Sequence, residues 1–189
     1  MIIGVIGPIA SGKDKVAEIF EEKYGFKKIV TSNFLRAEAE KRGIKVVDRY
    51  VLLRVQAELR REHGDDYIIN SVSHKIRENK WENVVVDGLR TPIDVLEAKR
   101  RLKARIILID AKPETRFLRQ KKRARKGFSR TFEQFLHEEA IDNAALQFYK
   151  TVKMAQIKTD NNGTLKDLEK NVDAIAKKLG LKKTKKGKK

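Results

Sequence analysis

The residues best equipped for chemistry stand together near the start: Gly7-Pro8-Ile9-Ala10-Ser11-Gly12-Lys13-Asp14. They follow the spacing G-x-x-x-x-G-K-[ST] at every fixed place but the last, where Asp14 replaces a hydroxyl residue. A glycine at each end lets the main chain turn tightly and approach an anion that a Cβ would hold away. The loop amides and the first turn of a following helix then point at phosphate oxygens. Gly7, Ile9, Ala10, Ser11, Gly12, Lys13, Asp14 and Lys15 are therefore the expected lining of a nucleoside triphosphate site, with Lys13 as the positive charge on the β- and γ-phosphates. The plain alternative is a glycine turn followed by a surface lysine. The flanking elements argue against it, because an apolar run (residues 1–6) precedes the loop and an amphipathic helix from Lys13 to about Tyr24 follows it.

Asp14 is a departure with chemical content. The usual hydroxyl ligates Mg²⁺, and a carboxylate is also a hard oxygen ligand, able to hold the ion directly or through water. Its charge beside phosphates needs the metal or Lys13 to offset it. Other constellations carry little: His63, His74 and His137 lack metal-ligand spacing, and Ser11 has no G-x-S-x-G turn around it. Trp81 is read as packing on the sheet edge.

The elements that must position this loop alternate between strand and helix, which predicts a parallel sheet covered on both faces. Strands are expected at 26–30, 84–87, 106–110 and, weakly, 154–158. Helices are expected at 33–42, 49–63 and 65–79, and from Thr91, Pro113, Thr131 and Thr164. Thr91-Pro92-Ile93-Asp94 and Thr131-Phe132-Glu133-Gln134 have the form of capping boxes. The last helix, residues 164–179, sets Leu165, Leu168, Val172, Ile175 and Leu179 on one face.

The 189 residues suit one domain, expected over 1–180 with a disordered basic tail at 181–189. With 40% hydrophobic residues the chain can bury a core, and no run is long enough to span a membrane. No secretion signal is recognisable at the start, so a cytoplasmic protein is expected. There is no cysteine, which excludes disulfides and thiolate-bound metal. The net charge of +18 is unevenly placed. Arg119 to Arg130 carries seven basic residues and no acid, and six lysines fall in the last nine residues. Lys182 to Lys189 either solubilises the chain or makes weak, sequence-independent contact with nucleic acid; no aromatic residues interleave to stack on bases.

Three further segments resemble the P-loop nucleoside monophosphate kinase family. Thr31-Ser32-Asn33-Phe34-Leu35-Arg36 is similar to its S-T-G-D-x-L-R segment. Val84-Val85-Val86-Asp87-Gly88-Leu89-Arg90 is similar to its strand ending D-G-x-P-R, one residue shorter before the arginine. Arg116 to Arg130 resembles its mobile lid. In detail, D-G-L-R and the late Asn162-Gly163-Thr164-Leu165 turn look like the adenylate-kinase-related and dephospho-CoA-kinase-like ATPases. The resemblance implies a three-layer α/β P-loop NTPase fold with a five-stranded parallel sheet, acceptor-binding helices at about 31–80 and a lid at about 116–135. It implies ATP-dependent phosphoryl transfer to a nucleoside monophosphate or similar small phosphate-bearing acceptor, as a monomer or homodimer, with ATP and Mg²⁺ as cofactors. Asp87 and Asp14 are then the metal residues, and Thr31, Arg36 and Arg90 grip the acceptor. Lys13, Asp87, Arg119, Arg123 and Arg125 serve catalysis. Thr31 has an equal alternative as a helix cap, and Asp87 as a turn cap. A dephospho-CoA kinase-like enzyme is the enzymatic alternative, although that family usually places an acid where Thr31-Ser32-Asn33 stands. An ATPase switch that binds RNA or ribosomes through the tail is the alternative from another class.

Overall fold

The computed structural model describes residues 1–45, 48–123 and 131–184. Five parallel strands form one sheet in the order β2-β3-β1-β4-β5, where β1 is Ile2–Ile6, β2 Lys27–Val30, β3 Val84–Asp87, β4 Arg105–Asp110 and β5 Ile157–Asp160. Successive side chains of a strand point to opposite faces. Ile3, Val5, Val85, Ile107 and Ile109 accordingly meet α1 (Lys13–Tyr24) and α9 (Leu165–Lys178) on one side. Ile29, Val84, Val86, Ile106 and Leu108 meet α4 (Tyr67–Glu78) and α5 (Pro92–Leu102) on the other. Strands buried on both faces explain why the sequence reads as continuous apolar runs there. Trp81 packs against this second cluster, as its position suggested.

A third, smaller core joins α2 (Thr31–Lys41), α3 (Arg49–His63) and α4 through Leu35, Ala39, Val55, Leu59 and Ile68. Ion pairs tie it to the sheet layer, Arg101 of α5 with Asp66 at the start of α4 and, more deeply buried, Arg60 with Asp94. The Arg60 guanidinium donates to Asp94 Oδ1 at 2.7 Å and to the Thr91 hydroxyl at 3.1 Å. Asp94 also closes the capping box that starts α5, so one buried carboxylate fixes a helix start and the attachment of α3. The remaining helices are α6 (Pro113–Arg123), α7 (Phe132–Ala145) and α8 (Phe148–Lys153).

Several boundaries move from the expected ones. α2 begins at Thr31, two residues early, directly off the strand and with Val30 as an N-cap that makes no side-chain bond. The last strand is 157–160, because Met154 ends α8, a six-residue helix too short to show a period. Leu165 is exposed, so the buried stripe of α9 starts at Leu168. Arg125 and most of the expected lid loop lie outside the described residues, as does the tail beyond Thr184.

Replacing Asp94 with Ala should cost about 3–5 kcal/mol in chemical denaturation, since it strands the Arg60 charge in a buried setting. A double Arg60→Met, Asp94→Leu variant should recover most of that loss. Recovery would show that the cost is the unpaired charge rather than the lost cap.

Candidate functional site

All strands of a parallel sheet end on the same side, and the loop from Gly7 to Gly12 leaves the carboxyl end of the central strand there. A Cβ on Gly7 would collide with the Ile109 carbonyl and the Ser11 hydroxyl. Ala10 lies in the left-handed region at φ 57°, a strained conformation of the kind that clusters at ligand sites. The loop is held from behind by three side chains. Asn161, just past β5, donates from Nδ2 to the Ser11 carbonyl at 2.8 Å. Arg119 reaches the same carbonyl at 3.5 Å and the Asn161 Oδ1 at 3.3 Å. Arg116 donates to the Ile9 carbonyl at 3.3 Å and to the Ala111 carbonyl at 2.9 Å, is paired with Glu139, and lies over the Phe135 ring. The Ile9 and Ser11 carbonyls are thus occupied by side-chain donors, and within the loop the Ser11 amide donates to the Pro8 carbonyl at 3.2 Å. The first helical bonds of α1 run from Lys15 and Val16 to the Gly12 carbonyl, so the amides of Lys13 and Asp14 lie ahead of the ladder.

The charges of the site interact strongly. Burial, then the neighbouring Arg90, lowers the Lys13 ammonium to about 8, although Asp87 and Asp14 oppose the shift. Burial raises the Asp87 carboxyl, with Lys13 pulling the other way. Asp87 Oδ1 and the Ser11 hydroxyl are buried without a hydrogen-bond partner. An orphaned carboxylate oxygen facing a lysine fits a hard cation or one of its waters. Asp14 is differently placed: burial pushes its carboxyl up, but Arg123 and Lys13 outweigh that and hold it low. Arg123 Nη2 lies 2.9 Å from Asp14 Oδ2, so the unusual residue of the loop is engaged by the end of α6.

A cavity opens beside this cluster under α2 and α3. Ile9, Leu35, Leu52, Leu53 and Leu146 give it apolar walls, and Arg49, Gln56, Arg90, Asp94 and Asp142 its polar ones. Arg49 is paired with Asp142, and burial followed by Arg49 itself lowers the Arg90 guanidinium. On the other side of the loop, a cleft of about 550 Å³ lies between α6 and the turn after β5, lined by Thr115, Leu118, Arg119, Lys122, Asn162 and Gly163.

Residues 6–135 match the family model described as AAA domain. A UPF0200 protein of Pyrococcus horikoshii is 30% identical over 95% of this chain and 97% of its own length. The chain belongs to the AAA domain family and to the UPF0200 proteins. A second UPF0200 protein, from Pyrococcus abyssi, is 29% identical over 95% of this chain and 97% of its own length. The structure also superposes on a shikimate kinase from Bacteroides thetaiotaomicron with a TM-score of 0.61, at 18% identity, covering 96% of this chain and 99% of that one. That likeness shows the fold, a P-loop kinase-like α/β sheet of five parallel strands.

In this AAA-domain protein the structure brings Lys13, Asp14, Asp87, Arg90, Arg119 and Arg123 to one end of the sheet. Thr31 lines the cavity, and its hydroxyl donates to the Gly88 carbonyl at 2.8 Å rather than capping α2. Gly88 has φ 96°, and a Cβ there would press on that hydroxyl, which accounts for glycine after Asp87. Arg36 is exposed on α2 and does not line the cavity that Thr31 and Arg90 share. Lys15 bonds Glu18 at 3.1 Å along the surface of α1. Sequence reasoning missed Arg49, Arg116, Asp142 and Asn161. Arg116 stands at the start of the lid-like stretch and Asn161 adjoins the turn read at Asn162-Gly163, but the sequence marks neither as bracing the loop.

The lowered Lys13 sets a pH signature. The unfolded chain, with the ordinary value of 10.5, binds more protons than the folded one between about pH 8 and 10.5, so stability should rise with pH across that window. Lys13→Met should be more stable than the parent at pH 7 and lose its advantage by pH 10.5. Denaturation curves for both proteins at several pH values would show whether the difference closes.

Proposed function

We propose that the protein transfers the terminal phosphoryl group of ATP to a small phosphate-bearing acceptor, of which a nucleoside monophosphate is the leading candidate. The observation that carries this reading is a partly desolvated lysine in a phosphate-binding loop, flanked by a cavity that holds a second group of cations. Loose phosphoryl-transfer transition states need in-line positioning and charge neutralisation, and no protein nucleophile. The loop amides and Lys13 would bind the β- and γ-phosphates. The cleft between α6 and residues 161–163, open and of nucleoside size, would take the base and sugar, with Arg119 at its edge.

Asp87 fits a Mg²⁺ ion through its unpartnered oxygen, with Asp14 as a second carboxylate once Arg123 moves off it. A bound Mg²⁺ would supply positive charge against the negative charge that develops on the donor phosphates. Arg90 and Arg49 line the acceptor cavity, and a guanidinium fork matches phosphate oxygens at two points. Arg49 would exchange Asp142 for that phosphate. Arg123, released from Asp14, would add positive charge beside the transferring group.

A screen of nucleoside monophosphates with ATP and Mg²⁺, following ADP release and the phosphorylated product, tests the reading. No acceptor-dependent ADP from any member of the panel would count against it. For the acceptor it identifies, Lys13→Ala should reduce transfer by about 100- to 1,000-fold, the scale of losing one donor that stabilises transition-state charge. Parental activity in that variant would overturn the donor-site assignment. Arg90→Ala should raise the acceptor KM about 10- to 100-fold, the worth of one charged hydrogen bond, with ATP affinity nearly unchanged. Arg36→Ala should have a much smaller effect on KM.

A further inference from the structure

The proposed kinase site uses the positive charge at one end of the sheet, and the other end holds an excess that this reaction does not need. Every strand starts at that opposite end, and α1, α4, α5 and α9 finish there. Lys27 and Arg105 are the first residues of β2 and β4, Lys103 caps α5, Lys177 and Lys178 end α9, and Lys182 follows it. All six are exposed. Among the described residues none has a carboxylate within ion-pair distance, whereas Arg49, Arg116 and Arg123 at the other end are each paired. Exposed acids described at this end are Glu21, Glu22, Glu78 and Glu82, of which Glu78 meets His74 at 3.1 Å, and Asp173 is already held by Lys183 and Tyr24.

Cations at helix C-termini have an ordinary explanation, since they complement the helix dipole. That covers Lys103, Lys177 and Lys178. It does not cover Lys27 and Arg105, which begin strands, or Lys182, which lies beyond its helix. The chain also secures this end as the root of its tail: the Thr184 amide donates to the Lys23 carbonyl at 2.8 Å, beside the end of α1. The sequence places four more lysines after that anchor.

We infer that this basal face binds the phosphate backbone of double-helical nucleic acid. The chemistry selects a duplex backbone over other polyanions. Single-strand binders add stacking aromatics, but among the described residues the two exposed aromatic side chains, Tyr50 and Tyr149, lie neither at a strand start nor in the last turn of a helix ending here. Trp81, which does lie at this end, is packed against the core. A membrane surface would call for apolar side chains to insert, and among the described residues Met1 is the one large exposed apolar residue at the strand starts. With charge and no base-reading group, recognition is independent of sequence and strongly dependent on salt. The six-residue β4 separates this face from the phosphate site by roughly 20 Å, more than a Debye length at physiological salt, so the two anions bind without sharing charges.

The test uses the full chain and fluorescein-labelled 20-base-pair RNA and DNA duplexes, with anisotropy measured over a salt series. The comparison is a variant carrying Lys27→Gln, Lys103→Gln, Arg105→Gln, Lys177→Gln and Lys178→Gln together. Its melting temperature and ATP affinity, close to the parent's, establish that it is folded. The parent should bind one or both duplexes, and the variant should lose about three to five from the slope of log K against log salt, near 0.9 per phosphate contact. Which duplex binds more tightly identifies the natural form. Saturating ATP and Mg²⁺ should change the parent's affinity less than about twofold, given the screening between the two ends. The inference is overturned by unchanged binding in the variant, by displacement of the duplex with ATP, or by capture on phosphatidylserine vesicles without duplex binding. Because ATP affinity and duplex affinity are read separately, failure here leaves the kinase reading standing, and the reverse holds too.

Discussion

The structure depends on holding like charges close together at the carboxyl end of a parallel sheet. Lys13, Arg90 and Arg49 approach one another out of full contact with water, and each lowers the proton affinity of a neighbour or has its own lowered. Such a group is unstable in isolation and only partly offset by Asp87, Asp14 and Asp142. The surrounding fold must force it. β1 and β3, neighbours in the sheet, aim their ends at the same point, and the loops from Gly7 and from Gly88 carry the charges in. A polyphosphate bound there would turn the repulsion into attraction.

Preorganisation of the loop comes from groups that never need to touch a ligand. Ser11 and Ile9 give their carbonyls to Asn161, Arg119 and Arg116, so the acceptor edge of the loop faces protein. A loop whose carbonyls were free would present negative dipoles to an incoming phosphate. Arg116 shows how tightly this is built: one guanidinium meets two backbone carbonyls, a carboxylate and an aromatic ring. It belongs to the arginine-rich stretch that resembles a lid, yet it is a strut. Arg123, two turns on, is the arginine that remains exposed and exchangeable.

Local pattern explains which parts of this were legible in advance. The phosphate loop, the Lys13–Tyr24 and Arg49–His63 helices and the capping boxes at Thr91 and Thr131 follow from neighbours in sequence, and their boundaries were read correctly. Asp87 and Arg90 were named through the resemblance of their segment to a family one, and β3 does end at Asp87, where ligands of such sheets bind. Arg49 was not, since its partner Asp142 is 93 residues away and neither stands in a motif. Arg36 matched a family segment by order along the chain, but a helix turn decides direction, and at its place on α2 the side chain faces solvent. The short α8 displaced the last strand because six residues carry too little periodicity to mark a helix before Met154.

The same polarity that concentrates the site also shapes the rest of the molecule. In a sheet of parallel strands with helices returning along both faces, helix N-termini collect at one end and C-termini at the other. The first end attracts anions by geometry, so its added arginines sharpen an existing field. The second end carries the negative ends of the dipoles, and a few lysines would suffice to balance them. Finding unpaired cations there on strands and beyond α9 as well means the balance has been exceeded. A chain of net charge +18 that distributes its surplus to both poles therefore presents two separate positive surfaces: one concave and partly desolvated, suited to a small polyphosphate, and one broad and hydrated, suited to an extended one.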